Sequence, residues 1–529
     1  MLIIKSNRKR ALGLDAPLKH ESHKKPVTRR DFLAQGFTTG AATVLVPGAM
    51  SMLAPRRASA LTGTLETVDR AACNITDGRG KIPFICFDLA GGANIAGSNV
   101  LVGQQGGQMD FLSTQGYSKL GLPGNMLPNN STTNFVNTEF GLAFHSDSAF
   151  LRGMLEKTSP TTRAMVNGAV IAARSENDTS NNPHNPMYGI AMAGPGGEGA
   201  KGQLLTLIGS QNSESGGNSM APAALIDPAN RPTKIDRVSD VTGLVDTGEV
   251  ATILSVSDTV QTLETMYKLS GRKLAHVDTR LGATDTAVKK QFQCAYLKTA
   301  DTVETFSNPA SLNPSLDPRI QGLFGGANFG GDGEFQKTAA VMKLVIDGNA
   351  GAGTITMGGF DYHTGERATG EARDLRAGRC IGACLEYAAL VGKPVMIYVF
   401  SDGSLSSNGM IDDSVGGRGK GQWTGDNQQT AASFFLVYSP MGRPTLIGEG
   451  TAAAARHQQI GYYSAAGDVV TSSSPAANNV NLLVQTVILN YMALHGEQNL
   501  FNDVFGRALG TGASLDGLIA FNPIVTGPV

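Results

Sequence analysis

Apolar positions in this chain fall into two alternating patterns. Short continuous runs rich in β-branched and aromatic residues are separated by longer stretches with helical spacing. Ile82-Pro-Phe-Ile-Cys-Phe-Asp-Leu89, closed by Gly91-Gly92, predicts a strand buried on both faces. Residues 99–140 are rich in Gly, Asn and Pro and predict loop. A helix is predicted within Phe140–Glu156 and a strand within Arg163–Ala172. A polar loop carrying His184 covers 174–190, small strands and turns cover 201–240, and long helical patterns such as Val260–Leu269 fill 247–303. The order then becomes regular: a helix from Glu334 to Asp347, a strand from Gly353 to Gly359, a helix from Ala372 to Val391, and a strand from Pro394 towards Asp402. Helices alternating with continuous apolar strands predict an α/β fold, a mostly parallel sheet with helices on both faces. In such sheets, polar groups just past the carboxyl ends of strands line the ligand crevice. Four places qualify here: Asp88 with Asn94, the loop of His184, Asp361 with His363, and Asp402.

The N-terminus follows a different logic. Residues 1–27 are polar and basic, Thr28-Arg-Arg-Asp-Phe-Leu33 carries paired Arg29 and Arg30, a mildly apolar stretch runs from Phe37 to Leu53, and Ala58-Ser59-Ala60 offers small residues for cleavage. This is the pattern of a twin-arginine signal peptide over 1–60. It predicts two partners, the twin-arginine translocation machinery and a signal peptidase, and an address in the periplasm or outside the cell. The predicted mature chain, 61–529, reads as one large domain with a C-terminal extension over 445–529. No mature stretch reaches the roughly 18 apolar residues of a membrane span.

Charge narrows the classes further. Residues 1–60 hold 11 Lys or Arg and three Asp or Glu, leaving 32 basic and 41 acidic residues beyond them, a formal charge of about −9 against −1 for the whole chain. An acidic mature chain argues against a nucleic-acid role, which needs a basic face. Five cysteines (Cys73, Cys86, Cys294, Cys380, Cys384) are too few for a disulfide scaffold of this size. Cys380 and Cys384, one helical turn apart, read as small core residues, and no C-x-x-C pair points to a thiolate metal site.

The motif order resembles a large bacterial family of unknown function, typically exported by the twin-arginine route, within the alkaline phosphatase/sulfatase-like superfamily. Six segments over roughly 80–440 carry the resemblance. Gly358-Gly-Phe-Asp-Tyr-His363 stands where the family reads G-G-W-D-T-H, and Gly91-Gly-Ala-Asn-Ile-Ala-Gly-Ser-Asn99 where it reads a G-G-A-D-G-L-N type loop. Phe140-Gly-Leu-Ala-Phe-His145 leading to Arg163–Gly168, Asn182-Pro-His-Asn185, Val399-Phe-Ser-Asp-Gly-Ser404 and Thr424-Gly-Asp-Asn427 follow in the family's order. Three positions depart from it: Asn94 replaces an aspartate, Pro183 a serine, and Asn427 a histidine. The resemblance implies a divalent ion (zinc, manganese or calcium) held by Asp361, His363, Asp402, Asp426 and Asn94, a catalytic role for His184, and hydrolysis of a phosphate or sulfate ester. Ser98 and Thr364 are the hydroxyls nearest these motifs, and neither occupies a distinctive turn. The three losses equally fit a non-catalytic cell-surface binding or assembly protein that keeps the fold. Whether the chain is an enzyme stays open at this stage.

Overall fold

The computed structural model describes Cys73, Gly78 and residues 80–529, apart from 129–134, 176–181, 246–252, 281, 366, 526, 528 and 529. The proposed signal peptide therefore lies outside the described residues. The described residues fall into two compact units, Cys73 with 253–304 in one, and Gly78 and 80–245 with 305–527 in the other, apart from the positions just excluded. The single-domain expectation had drawn no boundary around 249–304.

The larger unit is built on an eight-stranded mixed sheet. Its strands are β1 (Phe84–Leu89), β2 (Val166–Ile171), β3 (Leu205–Gly209), β4 (Thr233–Lys234), β5 (Ala350–Met357), β6 (Val395–Phe400), β7 (Ser433–Tyr438) and β8 (Gln459–Ile460), in the spatial order β8-β2-β7-β6-β1-β5-β3-β4. All pairings are parallel except those of β7, which runs antiparallel to both β6 and β2. The predicted α/β class is thus observed.

Along β1, alternate side chains enter different cores, as the pleat requires. Ile85, Phe87 and Leu89 join one apolar cluster, and Phe84 and Cys86 the other. The first core is roofed by helices α1 (Ala149–Lys157), α3 (Gly333–Ile346) and α4 (Arg367–Val391). The second is roofed by α2 (Met187–Met192) and α5 (Val480–Leu494). Helix α1 starts nine residues later than the start of the apolar pattern because Ser148 caps it, its hydroxyl accepting from Leu151 N at 3.1 Å, while Phe144–His145 pairs as a short strand with Val136–Asn137. Cys380 and Cys384 are buried in the first core with free thiols, as core residues should be. The C-terminal stretch belongs to this unit: α5 fills the second core, and Leu446 bridges to Phe521. No described helix is long and apolar enough to cross a membrane.

The smaller unit contains helices over Val256–Leu274 and Asp285–Thr305. A disulfide joins Cys73 to Cys294 across a sequence separation of 221. Sequence reading missed this pairing, because the two cysteines share no motif and connectivity is not legible from spacing. Replacing both by serine is expected to cost about 2–5 kcal/mol of stability. Limited proteolysis should then cut within 249–304 faster in the variant than in the oxidised protein. Equal cleavage rates would show that the bond constrains nothing.

Candidate functional site

The central strands β1, β5 and β6 run parallel and in register, Leu89 beside Met357 and Asp88 beside Phe400. Their chain-following loops therefore leave the same sheet edge. Four hydrogen bonds tie these loops: Ala90 N to Met357 O at 3.0 Å, Phe360 N to Ala90 O at 3.2 Å, Ala93 N to Ser401 Oγ at 2.8 Å, and Ser401 Oγ to Leu89 O at 2.6 Å. Gly91 sits at the junction. Its φ of +122° and the 2.9 Å that would separate a Cβ from Asp361 N both demand glycine.

Asp361 and His363 project from the loop after β5, with His363 Nε2 2.8 Å from Asp361 Oδ1. The intervening Tyr362 is buried. The third member arrives from further along the chain. Gly425–Asp426 pairs antiparallel with Leu405–Ser406 just beyond β6, and Asn427 N donates to Ser404 O at 2.9 Å. This places Asp426 beside the other two, with one ligand atom from each of Asp361, His363 and Asp426 within 4.8 Å of the others. Both carboxylates are exposed and the imidazole is half-buried. Two carboxylate oxygens and one imidazole nitrogen suit zinc or manganese, and their two negative charges offset one divalent ion. They do not suffice for two.

Asp402 and Asn94, expected as ligands, are drawn inward instead. Asp402 is fully buried, and its Oδ1 accepts from Gly91 N at 2.9 Å, while Asn182 Nδ2 donates to the Asp402 carbonyl at 3.0 Å. It latches two loops together and is not among the clustered groups. Asn94 donates its amide to the Ser98 hydroxyl and its backbone N–H to Tyr362 Oη at 3.3 Å. Ser98 also accepts from Arg367 Nη2 at 3.0 Å, so it is a buried hydrogen-bonded group and not a poised nucleophile. Asn427 caps the turn that follows it, accepting from Gln429 N at 2.9 Å.

His184, expected to be catalytic, is buried with its ring stacked on Phe400 at 6.0 Å between centroids. Neither ring nitrogen has a hydrogen-bond partner among the described residues, and burial pushes its pKa down to about 4. The imidazole is therefore neutral near neutral pH, and it stands outside the cluster of Asp361, His363 and Asp426. Asp88, under the same sheet edge, accepts from Asn218 N at 2.7 Å, Ser219 N at 2.8 Å and Ser219 Oγ at 3.0 Å, anchoring the 211–219 loop. Burial raises its carboxyl to about 6 against those hydrogen bonds, and the neighbouring Asp402 adds to the rise.

Behind the Asp361 loop lies a buried polar layer that sequence reading did not find. Tyr362 Oη donates to Asp374 Oδ1 at 2.9 Å, and Asn99 Nδ2 to Asp374 Oδ2 at 2.7 Å. Burial, with the nearby Glu371 charge, lifts Asp374 to about 7. The unfolded chain releases this proton near pH 4, whereas the fold keeps it to about pH 7. The stability it contributes is therefore present in acid and lost as pH rises through that window. Comparing wild type with Asp374→Asn removes the opposing titration of the buried histidines. The wild type's advantage is expected to shrink by about 1.4 kcal/mol per pH unit between about pH 4 and 7, read from urea midpoints. A flat difference would mean that the folded carboxyl is already ionised.

No protein-family model matches the chain, and no curated protein or solved structure matches it.

Proposed function

We infer that this protein is an exported, alkaline phosphatase/sulfatase-like hydrolase that cleaves a phosphate or sulfate ester with one divalent ion. The observation carrying the reading is the convergence of Asp361, His363 and Asp426 at the carboxyl edge of the parallel strands, where an α/β sheet presents its crevice. Asp361 and Asp426 would supply charge to the ion and His363 a neutral nitrogen. A divalent ion held there supplies Lewis-acid polarisation of a phosphoryl or sulfuryl oxygen. The Gly91–Asp402 latch and the Tyr362–Asp374 bond fix the loop that bears two of the three ligands. Export is supported by the Arg29-Arg30 signal pattern and by the Cys73–Cys294 disulfide, a bond at home in oxidising compartments.

The test is elemental analysis of protein isolated from the periplasm, paired with a panel of phosphate and sulfate esters. About one zinc or manganese per chain with metal-dependent turnover is expected. A metal-free native protein inert towards the whole panel would end the reading.

A second reading has its own observation. Asp402, Asn94 and Ser98 have all been turned to structural hydrogen bonds, which leaves three clustered ligands among the described residues and Thr364, beside His363, as the one candidate hydroxyl from the motifs not drawn into the fold. A cell-surface binding or assembly module keeping this fold accounts for that. It predicts bound metal without turnover, or neither.

A further inference from the structure

Along one side of α4 runs a groove of about 760 Å³, lined by Thr369, Arg373, Arg376 and Arg379 together with Phe335 and Asp332. Three arginines spaced three apart on a helix stand as neighbours, each about 4.5 Å further along the axis. Two have carboxylate partners. Arg376 Nη2 donates to Asp332 Oδ2 at 2.6 Å, and Arg379 pairs with Glu156. Asp332 also caps α3, accepting from Glu334 N at 2.9 Å, so its charge is shared.

Arg373 has no carboxylate partner among the described residues. Its only hydrogen bond runs from Nη1 to the Gly358 carbonyl at 3.2 Å, and its buried Nε has none. The guanidinium lies directly against Gly359, where a Cβ would come within 2.4 Å of Cζ, two residues before Asp361. The cationic row thus begins against the Gly358–Gly359 turn, two to three residues before Asp361, and continues along the helix. A guanidinium fork with unused donors matches the oxygen geometry of phosphate and sulfate.

We propose that this groove binds the additional anionic groups of an oligoanionic substrate, a chain or ring bearing several phosphate or sulfate groups, while one ester of it faces Asp361, His363 and Asp426. The proposal rests on the hydrolase reading for the last clause only. Binding in the groove itself is independent of the metal.

Calorimetric titration of the full chain tests it with three probes: orthophosphate, inorganic tripolyphosphate and sucrose octasulfate. Tripolyphosphate or the octasulfate is expected to bind at least about tenfold more tightly than orthophosphate, and the tighter of the two identifies the ester class. Arg373→Gln should weaken that binding about tenfold or more, since a charge-assisted bond is lost, and Arg373→Lys should restore part of it. Adding Arg376→Gln and Arg379→Gln should abolish it. Probes binding no better than orthophosphate, or an Arg373→Gln variant binding like wild type, would overturn the proposal. In an Asp361→Ala/His363→Ala background Arg373→Gln is still expected to weaken oligoanion binding about tenfold, because the groove acts without the cluster. Loss of affinity there with retention in Arg373→Gln would place the anions on the cluster and refute the groove. Absence of metal in otherwise binding-competent protein would sink the hydrolase reading alone.

Discussion

Glu371→Ala is expected to destabilise the protein by about 3–5 kcal/mol, because it leaves two buried cations, and a partly exposed third, without their shared carboxylate. Glu371 Oε1 accepts from Arg367 Nη2 at 2.7 Å and Lys420 Nζ at 2.9 Å, and Oε2 accepts from Arg152 Nη2 at 2.7 Å. Arg367 and Lys420 are almost fully buried, so water cannot replace the lost acceptor. Asp147 offers Lys420 a second carboxylate at 3.2 Å, but the described residues give Arg367 no other anion. Trp423, the only tryptophan, reports on this layer directly, its ring 4.6 Å beneath the Arg367 guanidinium. Urea unfolding followed by tryptophan emission measures the cost. Glu371→Gln, which keeps an acceptor of the same shape, should fall between wild type and alanine. A loss below about 1 kcal/mol in the alanine variant would mean that the cluster is solvated, as exposed ion pairs are.

This layer also shows where reading from sequence runs out. The central strands and long helices were legible because their apolar periods are uninterrupted, as in Val395–Phe400 and Gly333–Ile346. Their carboxyl ends followed, and with them Asp361 and His363. Asp426 was legible only through motif order: it reaches the site on a two-residue strand, too short for any periodic signal. Where the structure departs from the expected ligand positions, one cause recurs. Asp402 and Asn94 occupy strand-end positions that look like ligand positions, but which way a side chain turns depends on nearby backbone donors. Gly91 N claims Asp402, and Ser98 claims the Asn94 amide. Likewise the single polar loop around His184 gave no hint that the ring would be buried against Phe400. Arg367 and Glu371, four apart on a helix, were a readable local pair. That Lys420, 49 positions beyond Glu371, would join them depended on tertiary contacts alone.

The same distinction between turned-in and turned-out carboxylates gives the sharpest test of the metal cluster. Alanine at Asp361, His363 or Asp426 removes one of three donors, and each variant is expected to lose bound zinc or manganese, with affinity falling at least about 100-fold; even supporting residues around a metal cost 10–100-fold when removed. Asp402→Asn should behave differently. Asparagine retains the oxygen that accepts from Gly91 N, so the latch survives, and because Asp402 does not reach the cluster the ion should remain at wild-type stoichiometry. Metal content after dialysis against a weak chelator distinguishes the four variants, with far-UV circular dichroism to confirm folding. If Asp402→Asn releases the ion while Asp426→Ala keeps it, the ion sits on Asp402, and the convergence on Asp426, the other carboxylate the resemblance implies beyond Asp361, is incidental. If all three cluster variants lose the ion and Asp402→Asn does not, Asp361, His363 and Asp426 are the part of the implied ligand set that holds it, and the buried Asp402 serves the fold through its bond from Gly91 N.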